Sequence, residues 1–85
     1  MTTAAKIERI LSERFTPERL DVRDDSALHA GHPGATSGGG HYHVALVSSR
    51  FAGLSRVEQH RLVYEALDDL IPREIHALGL KTAAP

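Results

Sequence analysis

The sequence contains no cysteine and no tryptophan, and its 85 residues include only two tyrosines and two phenylalanines. Without cysteine the chain forms no disulfide, offers no thiolate nucleophile and supplies no thiolate ligand. Any metal that its own side chains bind must therefore be held by imidazole or carboxylate groups. The sequence has six histidines, so imidazole is well represented.

A strong net charge and a long hydrophobic run are also missing. Ten Lys and Arg residues stand against eleven Asp and Glu residues, for a formal net charge of -1. No long-range field therefore attracts the chain to nucleic acid or to an anionic membrane. No apolar stretch approaches the ~20 residues of a membrane span, and the N-terminal residues lack the apolar segment of a secretory signal. We expect a cytoplasmic protein that does not enter a membrane.

The length predicts one domain over residues 1–85, with a thin core and at most two layers of secondary structure. The clearest strand lies at residues 41–48, where Tyr42, Val44 and Leu46 alternate with His41, His43, Ala45 and Val47. Residues 19–25 alternate as a half-buried strand that should pair antiparallel with it. Residues 26–40 between these strands are rich in glycine and long for a hairpin, so we expect a flexible, functional loop.

Two further segments have helical periodicity. At residues 3–15 apolar side chains recur at helical spacing, with Thr3 as the expected N-cap. At residues 55–70 the helix should begin with a capping box of Ser55 and Glu58 and end before Pro72. Its apolar arc consists of Val57, His60, Val63, Tyr64, Leu67, Leu70 and Ile71. We expect His60, in the middle of this arc, to be a packed and hydrogen-bonded core histidine.

A third strand is indicated at residues 74–82, with Ile75, Ala77 and Gly79 on one face. Because a helical crossover precedes it, it should run parallel to the strand at residues 41–48. The order α-β-β-α-β predicts an α+β fold, with both helices on one face of a three-stranded mixed sheet. The predicted core consists of Ile7, Leu11, Val44, Leu46, Val63, Leu67 and Leu70.

The residues in this order resemble the BolA family. The resemblance lies in the runs DDSALHAGH, GGGHYHVALVSSRFAGLSRVEQHRLVYEAL and EIHALGLKT, and it extends from about Ile7 to Thr82. Gln59 departs from the family pattern, because many members have a basic residue before the His-Arg pair. The Gly-rich loop is also somewhat longer than in many relatives. The resemblance implies a two-layer, KH-like fold of class II.

The resemblance also implies a partner and a cofactor. Members of the family bind monothiol glutaredoxins and share a [2Fe-2S] cluster with them, and the partner's cysteine and glutathione complete the ligands. On this basis His76 is the constant ligand and His29 best matches the second, with His32 and His41 as alternatives. A chain without cysteine is compatible with this role, since imidazole ligates one iron in His-ligated clusters.

The runner-up function is DNA binding, because the family includes transcriptional regulators. Arg50, Arg56 and Arg61 form the candidate basic patch, although Glu58 and Glu65 would partly neutralise it. We expect weak, nonspecific binding. The GHPG run at residues 31–34 matches the GxxG of KH proteins, but it lies between strands rather than between helices, so we treat it as coincidence.

Two other kinds of site are considered. His29, His32, His41 and His43 could form a zinc site, because imidazole suits zinc and these side chains flank a loop. Catalysis is not expected, since no nucleophile lies in a recognisable motif and no carboxylate pair is evident.

Overall fold

In the computed structural model, residues 1–25 and 40–85 are described, and in them two helices pack on a three-stranded sheet. The elements are α1 (Thr3–Phe15), β1 (Arg19–Asp24), β2 (Gly40–Val47), α2 (Arg56–Ala66) and β3 (Ile75–Ala83), with 3-10 turns at Ser49–Phe51 and Asp68–Leu70. The predicted flexible loop, with His29, His32 and the GHPG motif, lies outside the described residues except for Gly40.

The sheet has the predicted mixed topology. Its strand order is β1-β2-β3, β1 runs antiparallel to β2, and β3 runs parallel to β2. Each strand begins and ends within one residue of the sequence-based expectation. The α+β fold with a three-stranded mixed sheet is therefore confirmed.

The core lies between one face of the sheet and the two helices. All seven predicted core residues are buried there, together with Phe15, Tyr42, Phe51 and Ile75. Tyr42, Val44 and Leu46 of β2 alternate with half-buried neighbours, as the period of two predicts. Ser48 connects the end of β2 to the end of α1. Its buried hydroxyl donates to the Phe15 carbonyl at 2.7 Å and accepts from the Arg50 amide at 3.1 Å.

Helix α1 spans residues 3–15 as predicted, but its N-cap lies one residue earlier than expected. The N-cap is Thr2, whose hydroxyl accepts from the Ala5 amide at 3.1 Å. Thr3 is not the cap, because its hydroxyl donates to a carboxylate oxygen of Glu74 at 2.9 Å. Among the described residues, neither helix is long and apolar enough to cross a membrane.

Helix α2 has the predicted capping box but a different buried face. Val57 is 59% exposed and Tyr64 is 44% exposed, whereas Gln59 and Val63 are buried, so the apolar arc was predicted too far round the helix. The Tyr64 hydroxyl instead donates to the Leu78 carbonyl of β3 at 3.4 Å. The sequence of α2 does not reveal which face is buried, because the polar Gln59 lies on that face.

His60 lies at the border of this buried face and is half-buried. No hydrogen bond to its imidazole is found in the part of the chain that the structure describes. The prediction of a hydrogen-bonded core histidine is therefore wrong.

The α-helix also ends earlier than about Leu70. Leu67 is its C-cap, and the chain continues as a 3-10 turn in which the Leu70 amide donates to the Leu67 carbonyl at 2.9 Å. Side chains three residues apart eclipse in a 3-10 turn, so Leu67 and Leu70 both reach the core. The predicted burial of both is correct although the predicted element is not.

Candidate functional site

The site is built where β2 and β3 both begin. The Gly40 amide donates to the Glu74 carbonyl at 2.9 Å, and Gly40 pairs with Ile75. The next pair is His41 with Ala77, so His76 is an extra residue in β3. A β-bulge of this kind changes the direction of the side chain that it carries.

The bulge breaks the alternation that was predicted for β3. Ile75 is buried, but the side chains that continue its face are the partly buried Leu78 and Leu80 rather than Ala77 and Gly79. The predicted faces of this strand are therefore wrong beyond the bulge. One inserted residue is enough to move the side chains that follow it to the other face of the sheet, because side chains alternate with a period of two.

The bulge brings His76 next to His41. Their ring centroids are 5.4 Å apart, and the rings are tilted by 48°. His76 is exposed and His41 is half-buried, so the pair is accessible from outside. Of the predicted cluster ligands, His76 and His41 are thus together, and His29 and His32 lie outside the described residues.

The backbone on the β1 side of His41 is also fixed. The Asp25 amide donates to the His41 carbonyl at 2.7 Å. The Asp25 carboxylate accepts from the Arg23 guanidinium at 2.7 and 3.1 Å, and this contact raises the pKa of Arg23 above its ordinary value. His41 therefore lies on a strand held on both of its edges.

On the β3 side, Glu74 connects the start of the strand to α1. One carboxylate oxygen accepts from the Thr3 hydroxyl at 2.9 Å and from the Lys6 ammonium at 2.9 Å, and the other accepts from Lys6 at 3.1 Å. The Lys6 hydrogen bond, followed by that of Thr3, lowers the pKa of the Glu74 carboxyl. The carboxylate form of Glu74 is thus favoured.

His43 lies on the same side of β2 as His41, two residues along. A methyl group at Gly79 would come within 2.8 Å of the His43 ring, so the imidazole occupies space that a glycine leaves open on β3. No cluster of three or more potential metal ligands is found within residues 1–25 and 40–85. The four-histidine zinc site stays a prediction, since two of its members fall outside those ranges.

The three arginines of the predicted basic patch are all exposed. Arg50 lies in the 3-10 turn after β2, and Arg56 and Arg61 lie on α2 about 140° apart around the helix axis. Arg61 lines a shallow surface depression with Glu58 and Glu65. The patch is therefore divided and flanked by carboxylates.

The sequence did not single out Glu74, which connects the start of β3 to α1, or Gln59, which is buried on α2. The signal for Glu74 is only its position directly before a strand that bears a candidate ligand. Gln59 gives no signal of burial at all, because an amide in a helical pattern indicates an exposed face.

The fold and the site define a class of protein: a small α+β domain with an accessible pair of imidazoles at one end of its sheet. A sequence model of the family described as BolA-like protein matches residues 11–85. The chain belongs to the BolA family, and the resemblance seen in the sequence is confirmed.

Named relatives support the same assignment. The chain is 42% identical over 81 residues to BolA-like protein 1 of Homo sapiens, covering 95% of this chain and 57% of the human protein. It is 45% identical over 76 residues to the DNA-binding transcriptional regulator BolA of Vibrio cholerae, covering 89% of this chain and 69% of that protein. The chain thus spans little more than half of the human relative.

A solved structure has the same fold. The BolA domain of SufE1 from Arabidopsis thaliana superposes with a TM-score of 0.87 at 34% identity, covering 100% of this chain and 94% of the compared one. The two-layer architecture is therefore that of a BolA domain.

Proposed function

We propose that this chain binds a monothiol glutaredoxin and shares a [2Fe-2S] cluster with it, in cluster assembly and transfer or in iron and redox sensing. His76 supplies one ligand, and the second imidazole comes from His29, His32 or His41. The observation that carries the proposal is the accessible contact between the rings of His41 and His76. The role is one of binding and transfer rather than catalysis.

The chemistry of the available donors supports this proposal. The chain has six histidines and no cysteine, and two imidazoles can ligate one iron of a two-iron cluster while thiolates ligate the other. The missing thiolates must come from another molecule, for which the cysteine of a monothiol glutaredoxin and glutathione are suited. A partner is therefore a chemical requirement of the proposal.

The spacing of the rings supports it as well. Two imidazoles bound to one tetrahedral metal at about 2.1 Å have ring centroids roughly 5 Å apart. The His41 and His76 centroids are 5.4 Å apart, which is compatible with shared ligation. Of the three candidates for the second ligand, His41 is the one within the described residues.

The direct test is to mix the protein with a monothiol glutaredoxin, glutathione, iron and sulfide, and to record visible absorption and circular dichroism. We expect a heterodimer whose spectrum differs from that of the glutaredoxin homodimer and depends on both proteins. A spectrum identical to that of the glutaredoxin alone would contradict the proposal.

We predict that His76→Ala abolishes the heterodimer spectrum, because it removes the proposed ligand that β3 itself holds in place. The measurement is the same circular dichroism experiment, with thermal unfolding to verify that the variant is folded. His43→Ala is the matched control, since His43 is an imidazole on the same sheet but outside the proposed ligand set. An unchanged spectrum and cluster lifetime for His76→Ala would exclude this ligation.

The second ligand is identified by comparing His29→Ala, His32→Ala and His41→Ala under the same conditions. Loss of the true ligand should leave a labile cluster, and the other two substitutions should have small effects. The contact with His76 favours His41, whereas the family resemblance favours His29.

DNA binding is a second candidate, because the relative from Vibrio cholerae is named a DNA-binding transcriptional regulator. The exposed Arg50, Arg56 and Arg61 are the available cations. The carboxylates of Glu58 and Glu65 beside Arg61 weaken this candidate, since they repel phosphate.

A further inference from the structure

Glu74, the residue directly before β3, is held from three directions. Its amide donates to the Leu70 carbonyl at 2.8 Å, and its carbonyl accepts from the Gly40 amide at 2.9 Å. Its carboxylate contacts Lys6 and Thr3. The backbone and the side chain of one residue therefore join the turn after α2, the start of β2 and the first turn of α1.

The Glu74 carboxylate contacts two side chains of α1, a helix that is packed in the core. Lys6 directly precedes Ile7, which is completely buried in the core. Thr3 and Lys6 both reach the same carboxylate, and Lys6 contacts both of its oxygens. Glu74 is thus fixed to a packed element rather than to a free surface side chain.

A role in global stability does not account for this arrangement. The Lys6 and Glu74 side chains are 39% and 32% exposed, and partly exposed ion pairs contribute little to stability. The effect of the Lys6–Glu74 contact should instead be local, at the start of β3, which directly follows Glu74. That start includes the Gly40–Ile75 pair, the bulge and His76.

We propose that Glu74 is a positioning residue, which holds the β3 bulge through Lys6 and Thr3 so that the imidazole of His76 stays beside that of His41. The cluster-ligation role of these histidines rests on the proposed function, but the positioning itself is a property of the chain alone. Outer groups that orient metal ligands commonly matter for affinity without touching the metal.

The first test uses the full chain without cluster or partner. In Glu74→Ala, nuclear magnetic resonance should show faster exchange of the Gly40 amide and loss of the through-space contact between the His41 and His76 rings. Glu74→Gln keeps an acceptor for Thr3 and should show a smaller change. If Glu74→Ala leaves both signals unchanged, the positioning role is wrong.

The matched control is Glu13→Ala, which removes another ion pair of α1, between Arg9 and Glu13 at 3.5 Å. It should leave the Gly40 amide and the histidine contact unchanged, although its thermal stability should be similar to that of Glu74→Ala. If Glu13→Ala produced the same local changes, the effect would belong to α1 in general and the proposal would be overturned.

The second test uses the heterodimer with a monothiol glutaredoxin. Glu74→Ala should shorten the lifetime of the shared cluster about tenfold, which is comparable with the loss of metal affinity when a group that orients a metal ligand is removed. If wild-type protein forms no shared cluster, the proposed function fails, whereas the resonance experiment still decides the positioning role. A changed histidine contact with an unchanged cluster lifetime would overturn the link between Glu74 and ligation.

Discussion

Gln59 is a buried polar side chain whose hydrogen bonds join three segments. Its amide nitrogen donates to the Leu54 carbonyl at 3.0 Å, and its oxygen accepts from the Thr82 hydroxyl at 2.7 Å. Both ends of the amide are therefore satisfied, and burial carries no cost of an unpaired group. A Lys or Arg side chain has no acceptor for the Thr82 hydroxyl, so neither could replace the Gln59 oxygen at this contact.

At the same scale, we predict that Leu67→Ala lowers the free energy of unfolding by about 2–5 kcal/mol, because Leu67 is completely buried and its loss leaves a cavity. Urea denaturation measures the change. Val57→Ala on the exposed side of α2 is the control and should cost less than about 0.5 kcal/mol. A loss for Leu67→Ala as small as that of the control would place Leu67 outside the energetic core.

Individual core residues were predictable where hydrophobicity and period agree, as for Val44 and Leu46 on β2. They were less predictable on α2, where the hydrophobic Val57 and Tyr64 are exposed and Gln59 is buried. Apolar side chains alone do not determine which face of a helix is buried, because a polar side chain whose hydrogen bonds are satisfied can also lie in the core. His60 was misassigned for the same reason.

At the scale of elements, the start of α2 is defined by a reciprocal pair of hydrogen bonds. The Ser55 amide donates to the Glu58 carboxylate at 2.9 Å, and the Glu58 amide donates to the Ser55 hydroxyl at 3.2 Å. The sequence predicted this capping box, and the structure confirms it. Its bonds satisfy backbone amides that have no partner inside the helix.

We predict that this cap makes a pH-dependent contribution to stability. The hydrogen bond from the Ser55 amide, followed by that from its side chain, lowers the pKa of Glu58 below its ordinary value of 4.5. A carboxyl with a lowered folded pKa stabilises the fold above its unfolded pKa, and the contribution disappears as the pH falls through the folded pKa. The advantage of wild type over Glu58→Gln should therefore be largest near neutral pH and shrink in acid.

Urea denaturation of both proteins between about pH 7 and pH 3 measures this change. Glu65→Gln, an exposed carboxylate on the same helix but outside the cap, is the control. A difference between wild type and Glu58→Gln that stays constant over this range would show that ionisation of Glu58 does not support the cap.

The type and order of the two helices and three strands were predictable, because each has its own period and end signals, whereas the two 3-10 turns were not. The bulge in β3 was not predictable, since it depends on how two distant strands align rather than on the sequence of one. The approach of His41 to His76 follows from that alignment. The sequence therefore indicated the candidate ligands but not which of them lie close together.

At the scale of the molecule, the two candidate functions differ in their dependence on salt. If Arg50, Arg56 and Arg61 bind DNA, the logarithm of the affinity should fall with the logarithm of salt concentration, with a slope of about -0.9 per neutralised phosphate. We expect weak, nonspecific binding in a fluorescence anisotropy titration. Arg9→Gln on α1 is the control for general loss of positive charge.

Replacing the three arginines by glutamine should reduce the magnitude of the slope more than Arg9→Gln does. Sequence-selective, submicromolar binding at physiological salt would make transcriptional regulation the leading function.

The parallel pairing of β2 with β3 makes the imidazole pair a property of the folded chain. His41 and His76 are distant in sequence, and a parallel pair forms only after the intervening chain has closed into a crossover, which is a slow, non-local step. In the unfolded chain the same two side chains form no preorganised chelate. A ligand that requires both rings therefore binds only folded molecules and stabilises them by mass action. Ligand binding and folding are then thermodynamically coupled.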